Sequence, residues 1–373
     1  MPEYRFTDFA INSTQKKKPS EDDKYTYIGL EHLDAGTLEI SRWGSDVAPI
    51  GEKLIMQKGD VLFGKRRAYQ KKVGIAPFNG IFSAHGMVLR PREEVITKEY
   101  FPLFISSDYF LNEAIRISVG SLSPTVNWKD LKDLTFNIPT IEEQKRIAPI
   151  IWAAIETKNS YKYLIQSIDN LVKSQFIEMF EGCPRGRLGD YITQVRGVSY
   201  KPADLSLQLT DNYITLLRAN NISGNQIVLD DIQFVSRKKV STNQIIQNGD
   251  ILMCASSGSL EHVGKAAICN GFGELTFGAF CKLIRANGTL QPEYIAAYMR
   301  SDEYRRTIME LAQGTNINNL RNEHIDELRL PIPTATLQKE FIAVIQQSDK
   351  SKLIIEDTKN LVRRILNVYR SRF

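Results

Sequence analysis

No Cys-x-x-Cys pair, no His-Glu-x-x-His, no Gly-x-Ser-x-Gly and no apolar run long enough to span a bilayer occur in these 373 residues. The four cysteines, Cys183, Cys254, Cys269 and Cys281, have no metal-ligand spacing, and the histidines His32, His85, His262 and His324 are scattered. That leaves no zinc cluster, and the three cysteines from Cys254 onward read as small buried hydrophobes in a reducing compartment. No N-terminal apolar run resembles a signal peptide, so a cytoplasmic location and no membrane partner are expected. Gly258-Ser259-Leu260-Glu261-His262-Val263-Gly264-Lys265-Ala266 imitates a phosphate loop. It has one residue too many between its glycines, and alanine where a Mg²⁺-binding hydroxyl is required. Asn137-Ile138-Pro139-Thr140 lacks the second proline and the aromatic of the amino-methyltransferase motif. It recurs as Leu330-Pro331-Ile332-Pro333, which marks a turn into a helix. No catalytic or metal-binding residue is assigned, no cofactor is expected on the chain, and the chain is not expected to be an enzyme by itself.

What is present is a repeat. GSLSPTVNWKDLKDLTFNIPTIEEQKRI from Gly120 is matched without a gap by GTNINNLRNEHIDELRLPIPTATLQKEF from Gly314, 194 residues on. Upstream, Gln57-Lys58-Gly59-Asp60-Val61-Leu62 is echoed by Gln247-Asn248-Gly249-Asp250-Ile251-Leu252. A period of this length means two whole domains of one fold, not a solenoid unit. The composition, 42% hydrophobic and 24% charged, is that of a soluble globular chain, and its net charge of +5 leans only mildly toward anionic partners.

Each half runs from strand-like pieces (Tyr25–Leu30, Tyr213–Leu217) through a Gly-Asp turn into a β-rich stretch. It then becomes helical around 98–116 and 292–312. Both halves are therefore expected to be α+β. From Ala148 to Phe180 there is no glycine, Pro149 is read as lying in a first helical turn, and Thr140-Ile141-Glu142-Glu143 before it as a capping signal. Tyr161, Ile165, Ile168, Val172, Phe176 and Met179 form an apolar stripe at three-four spacing on this helix. Ile354, Leu361, Ile365 and Val368 form a second on a helix from about Leu337. Two long amphipathic helices can each belong to their own domain's core. Their length, about 33 residues or roughly 50 Å for the first, favours pairing as an antiparallel coiled coil that sets a spacing. The second is expected to be about one turn shorter. The expected layout is one reader over 1–147, a central helix over 148–182, a second reader over 183–336 and a C-terminal helix over 337–373.

Three polar segments are candidates for nucleic-acid contact. Lys65, Arg66, Arg67, Tyr69, Gln70, Lys71 and Lys72 mix cations, an aromatic and an amide, the side chains that hold phosphates and read base edges. The corresponding loop of the second half carries Ser256, Ser257, Ser259 and His262 instead, as two readers of different sequences would. The segments after the repeated glycines offer Ser121, Ser123, Asn127 and Lys129 against Asn316, Asn318, Asn319 and Arg321. Arg218, Asn220 and Asn221 form a third loop. A solvated surface loop is the simpler account of the first group, and helix capping of the second.

Tyr27-Ile28-Gly29-Leu30-Glu31-His32-Leu33, Gly59-Asp60-Val61-Leu62-Phe63 and above all Pro139…Glu143-Gln144-Lys145-Arg146-Ile147 resemble the specificity (S) subunits of type I restriction-modification systems. The second copy, Leu337-Gln338-Lys339, departs by lacking the glutamate. The resemblance implies two tandem α/β target recognition domains, each reading one half of a bipartite site in double-stranded DNA. It implies two paired helices that dock two modification (methyltransferase) subunits, with restriction subunits completing the complex. S-adenosylmethionine, ATP and Mg²⁺ would sit on those partners. The rival readings are an S-like subunit of a fused nuclease-methyltransferase system, a coiled-coil adaptor that binds no DNA, and a stand-alone methyltransferase.

Overall fold

The computed structural model describes residues 1–224, 226–312 and 318–370, apart from the side chains of 318, 361, 363 and 365–370. They form two compact units, Met1–Lys162 with Glu356–Phe373, and Tyr163–Ile355.

In the first unit, Val61–Phe63 lies between Met87–Pro91 and Val73–Ile75, with Ala10–Ser13 on the outer edge, all antiparallel. A second sheet orders Lys16–Lys17, Lys53–Met56, Gly80–Phe82 and Tyr27–Ile28, the last pair parallel. Helices Phe101–Ile105 and Asp108–Arg116 close one side around an aromatic cluster of Phe6, Phe9, Phe104, Phe110 and Phe136. The edge-to-face contacts among these rings add to the apolar area they bury.

The second unit repeats the plan. Asp250–Cys254 is flanked by Cys281–Ala286 and Ala266–Cys269, with Ile192–Arg196 outside. Its second sheet again holds a parallel pair, Tyr213–Leu217 with Leu275–Phe277. Here Gln233–Ser236 adds to the Tyr213 side, whereas in the first unit Lys53–Met56 adds to the Gly80 side. The segment before the Gly-Asp turn is therefore the part of the fold that varies.

The repeated residues are the framework. Gly59 and Gly249 turn the chain at φ +92° and +88°, which only glycine adopts cheaply. The following aspartates are buried. Asp60 accepts from Gln57 N at 2.7 Å and takes a two-pronged bond from Arg90 at 2.6 and 2.8 Å. Asp250 accepts from Gln247 N at 2.8 Å and from Arg285 at 2.8 and 2.7 Å. Gln144 and Gln338, both fully buried, each bridge a helix start to a distant backbone. Gln144 Oε1 accepts from Thr97 N and its amide donates to Val95 O and Pro139 O. Gln338 repeats this with Gln291 N, Thr289 O and Pro333 O.

The central helix spans Ile141–Phe180, 40 residues or about 60 Å. It starts seven residues before the expected Ala148, so Pro149 sits inside it and not in its first turn. The start is fixed earlier by a reciprocal cap, Thr140 N to Glu143 Oε2 at 3.1 Å and Glu143 N to Thr140 Oγ1 at 3.3 Å. The second helix, Ala335–Arg370, has 36 residues. Leu337 replaces the capping glutamate there, leaving only Thr334 Oγ1 accepting from Leu337 N. Within the second unit the helices run antiparallel, since Phe176 and Phe180 stack edge-on against Phe341 while Asp169 pairs with Lys352. Phe341, Ile345, Ser348 and Ile355 are buried at spacings of four, three and seven residues, with Lys352 half-buried between the last two, a coiled-coil seam. Tyr161, Ile165, Ile168 and Val172 are half-buried and Phe176 is buried. Ile354, expected on the seam, is 68% exposed, because the buried stripe passes one residue later through Ile355 at 8%. The side chains of Leu361, Ile365 and Val368 lie outside the described residues. No helix among the described residues is long and apolar enough to cross a membrane.

Candidate nucleic-acid interface

In the first unit the basic loop and the segment after Gly120 converge. Val119 and Thr125 exchange both backbone hydrogen bonds, at 3.0 and 2.9 Å, closing a loop whose tip is Ser121–Pro124. That loop lies along the basic one, with Arg67 N donating to Pro124 O at 2.7 Å and Val126 N to Lys65 O at 3.0 Å. Arg67 Nε reaches Ser123 Oγ at 3.3 Å. Arg66 N donates to His85 O, and Arg66 Nη1 lies 3.4 Å from His85 Nε2. Arg66, Arg67 and Tyr69 are exposed, and Arg67 and Lys71 adopt left-handed backbone at φ 56° and 51°, bracketing a single turn at Ala68–Gln70. Non-glycine residues held there are strained, and such strain gathers at functional sites.

Not every cation of the loop is free. Lys71 pairs with Asp108, and Lys72 Nζ donates to Leu30 O at 2.7 Å, so both brace the loop. Burial, with a smaller contribution from Lys16, lowers the Lys65 ammonium below its usual range. Burial first, then Arg66, Lys65 and Lys53, lower the His85 imidazole below its usual range, which favours the neutral ring. Ser121 and Lys129 are exposed, Gln70 half-buried. Asn127 stands at the start of helix Trp128–Leu131 without a capping bond from its side chain, so capping does not account for it.

The second unit builds the same junction from other side chains. Ser256 and Ser257 pair antiparallel with Asn319 and Asn318, and Leu320 N donates to Ala255 O at 2.9 Å, the counterpart of Val126 to Lys65. Ser256 N donates to Phe280 O at 3.1 Å, as Arg66 N does to His85 O. Ser256 and Ser257 share with Arg218, Asn220, Tyr200 and Phe280 an open pocket of about 720 Å³. Arg218 and Asn220 are both anchored on Asp231 Oδ2 at 2.9 Å. Ser259, His262, Asn319 and Arg321 are exposed, and Asn316 lies outside the described residues. Asn221 does not face a ligand. It is fully buried, its amide donating to Val228 O and Asp230 O and its oxygen accepting from Arg218 N, so it fixes the loop's turn. The phosphate-loop mimic has the opposite polarity, since the carbonyls of Leu260, Glu261 and Val263 turn in around the Arg305 guanidinium.

His85, Phe280 and Tyr200 were not singled out from the sequence. The available signal was positional, as Ser83-Ala84-His85-Gly86 and Gly278-Ala279-Phe280-Cys281 occupy one framework position in the two repeats and each exposes a ring at a turn. Among the described residues no cluster of metal-binding side chains occurs.

Two copies of one α+β unit, each gathering polar loops at the same corner of the same sheet, define a tandem-repeat protein built for contact. The chain belongs to the family of the type I restriction modification DNA specificity domain, whose model matches it twice, over residues 6–169 and 195–363. It is 34% identical over 188 residues to the Type I restriction enzyme StySPI specificity subunit of Salmonella potsdam, which is 49% of this chain and 41% of that one. It is 35% identical over 176 residues to the EcoKI specificity subunit of Escherichia coli K12, 46% of this chain and 38% of that one. The matched stretch thus spans less than half of either curated relative. Among solved structures it resembles the S subunit of the M. genitalium type I restriction-modification system (TM-score 0.58, 13% identity, 99% of this chain and 94% of that one). A chain from a structure of type I system assembly and conformational transition gives TM-score 0.56 at 18% identity, over 100% of this chain and 96% of that one. At these identities the likeness establishes the fold.

Proposed function

We propose that the chain is the DNA-reading subunit of a type I restriction-modification complex, non-catalytic itself, with each unit reading one half of a bipartite, asymmetric site. The observation that carries this is the shared junction. The loop after the Gly-Asp strand and the segment after the repeated glycine are joined by the same backbone bonds in both units, while the side chains they present differ. Retained scaffold with changed contact chemistry is what two readers of different sequences require. One such reader buries about 600–1,000 Å² on DNA, too little for high discrimination, and two linked readers multiply theirs.

The candidate contacts are Arg66, Arg67, Tyr69, Ser121, Ser123 and Lys129 in the first unit, and Ser256, Ser257, Arg218, Asn220, Asn319 and Arg321 in the second. The helices expose Leu164, Leu171, Ile177, Leu353 and Ile354, apolar surface suited to covering by two modification subunits. S-adenosylmethionine would bind those partners, ATP and Mg²⁺ the restriction subunits. The domain limits follow the repeat, with readers over 1–147 and 183–336. The test is methylation mapping of DNA from cells carrying this chain with a modification subunit. A methyladenine motif in two short halves around a fixed gap, lost when the chain is deleted, is expected. A chain-independent pattern would instead favour an adaptor that binds no DNA.

A further inference from the structure

The pocket beside Ser256 and Ser257 carries an oddity. Phe280 is 67% exposed at the centre of a polar loop junction, yet its backbone is pinned there, its carbonyl accepting from Ala255 N at 2.9 Å and Ser256 N at 3.1 Å. Gly258, Gly278, Ser256 and Ser257 line one part of the pocket and Tyr200, Arg218 and Asn220 another, and the ring stays mostly exposed between them. Gly278 lets the Tyr200 ring pack close to the backbone at the pocket's edge, because a Cβ there would stand 3.3 Å from that ring. Donors on the rim, Arg218 and Asn220, are held by Asp231. At the same framework position the first unit has His85 beside Arg66, a purely polar pair.

An exposed ring among serines and glycines does not hold a phosphate; it offers a flat apolar face flanked by hydrogen-bond donors. The base edges of the major groove show one apolar feature, the C5 methyl group of thymine, beside acceptors that such donors satisfy. We propose that the Phe280–Tyr200 pocket receives the 5-methyl group of a pyrimidine, so that the half-site read by the second unit contains a thymine facing Phe280. The proposal rests on the DNA-reading function above and assigns it a chemical class in one half-site. The first unit, with His85 and Arg66 at that position, has no such methyl dependence.

The test uses the chain assembled with modification subunits and a duplex bearing its mapped site. Each thymine of the second half-site is replaced in turn by uracil, which removes only the methyl. One position is expected to weaken binding about three- to fivefold, the worth of one buried methyl group. Phe280→Ala should bind thymine and uracil sites equally while still rejecting mismatches in the first half-site, which shows that it is folded. Should that variant not fold, the uracil scan of the unaltered chain decides. If no uracil matters but 5-methylation of one cytosine strengthens binding, the methyl pocket stands with 5-methylcytosine as its source. Specific binding indifferent to both changes overturns the proposal. Absence of any sequence preference would instead overturn the DNA-reading function.

Discussion

The two units agree in their buried polar framework and differ in the side chains that their exposed loops present. Asp60–Arg90 and Asp250–Arg285 are built alike to within about 0.2 Å, and Gln144 and Gln338 span the same three backbone groups. On the loops resting on that framework, Arg66, Arg67 and His85 face Ser256, Ser257 and Phe280. The bonds joining the loops are backbone to backbone, so the side chains above them can change without loosening the junction. A buried carboxylate or amide has no such freedom, since a missing partner leaves an unsatisfied group out of water. The repeat is therefore legible in buried polar residues and blurred at the contact surface.

The largest effect tests the framework half of the comparison. Asp60→Ala and Asp250→Ala each strand an arginine that is about three-quarters buried and release a turn amide. Each should cost about 2–4 kcal/mol of stability, less than a fully buried pair because the arginines keep some solvent. Urea unfolding measures it. Losses differing by more than about 1 kcal/mol would show that the two frameworks are not equivalent.

On the surface side, Arg66→Ala should weaken specific binding by about 1–3 kcal/mol and relax selectivity in the first half-site alone. A loss uniform across sequences, measured by titration at fixed salt, would make Arg66 a phosphate contact. Arg67 allows a sharper separation. Its left-handed φ of 56° suits glycine, so Arg67→Gly should leave stability unchanged or raise it by up to about 1 kcal/mol while weakening binding. Stability and binding falling together would mean that the arginine holds the loop and does not serve the ligand.

The α+β repeat, the Gly-Asp turns and the helix-initiating glutamine block were readable because the same buried residue types recur in both halves, whatever the distance to their partners. The junction was not. Lys65–Lys72, His85 and Ser121–Val126 meet through backbone bonds across as many as 61 residues (Val126 N to Lys65 O), and no local pattern announces such pairing. Asn221 looked like a surface amide because nothing local reveals that its partners are the carbonyls of Val228 and Asp230. Pro149 misled the placement of the central helix, since a proline suggests a first turn whereas the Thr140–Glu143 cap lies further back. The seam on the second helix slipped from Ile355 to Ile354 because adjacent isoleucines leave its phase ambiguous.

The smallest effect concerns chemistry present in one unit alone. All four cysteines fall in Tyr163–Ile355. Cys254, Cys269 and Cys281 are buried, and burial pushes their thiols up, that of Cys269 to about 12, so little thiolate exists at neutral pH. Cys183 is half-exposed. Alkylation of the native chain should therefore give one adduct, at Cys183, with three more appearing only as the second unit opens. Combined with the framework variants, this becomes a reporter of one unit. Asp250→Ala should speed the appearance of the three late adducts in mild urea, and Asp60→Ala should leave their rate unchanged. Equal acceleration by both variants, read by mass spectrometry, would mean that the units unfold as one, and the independence implied by the repeat would then belong to their surfaces and not to their stability.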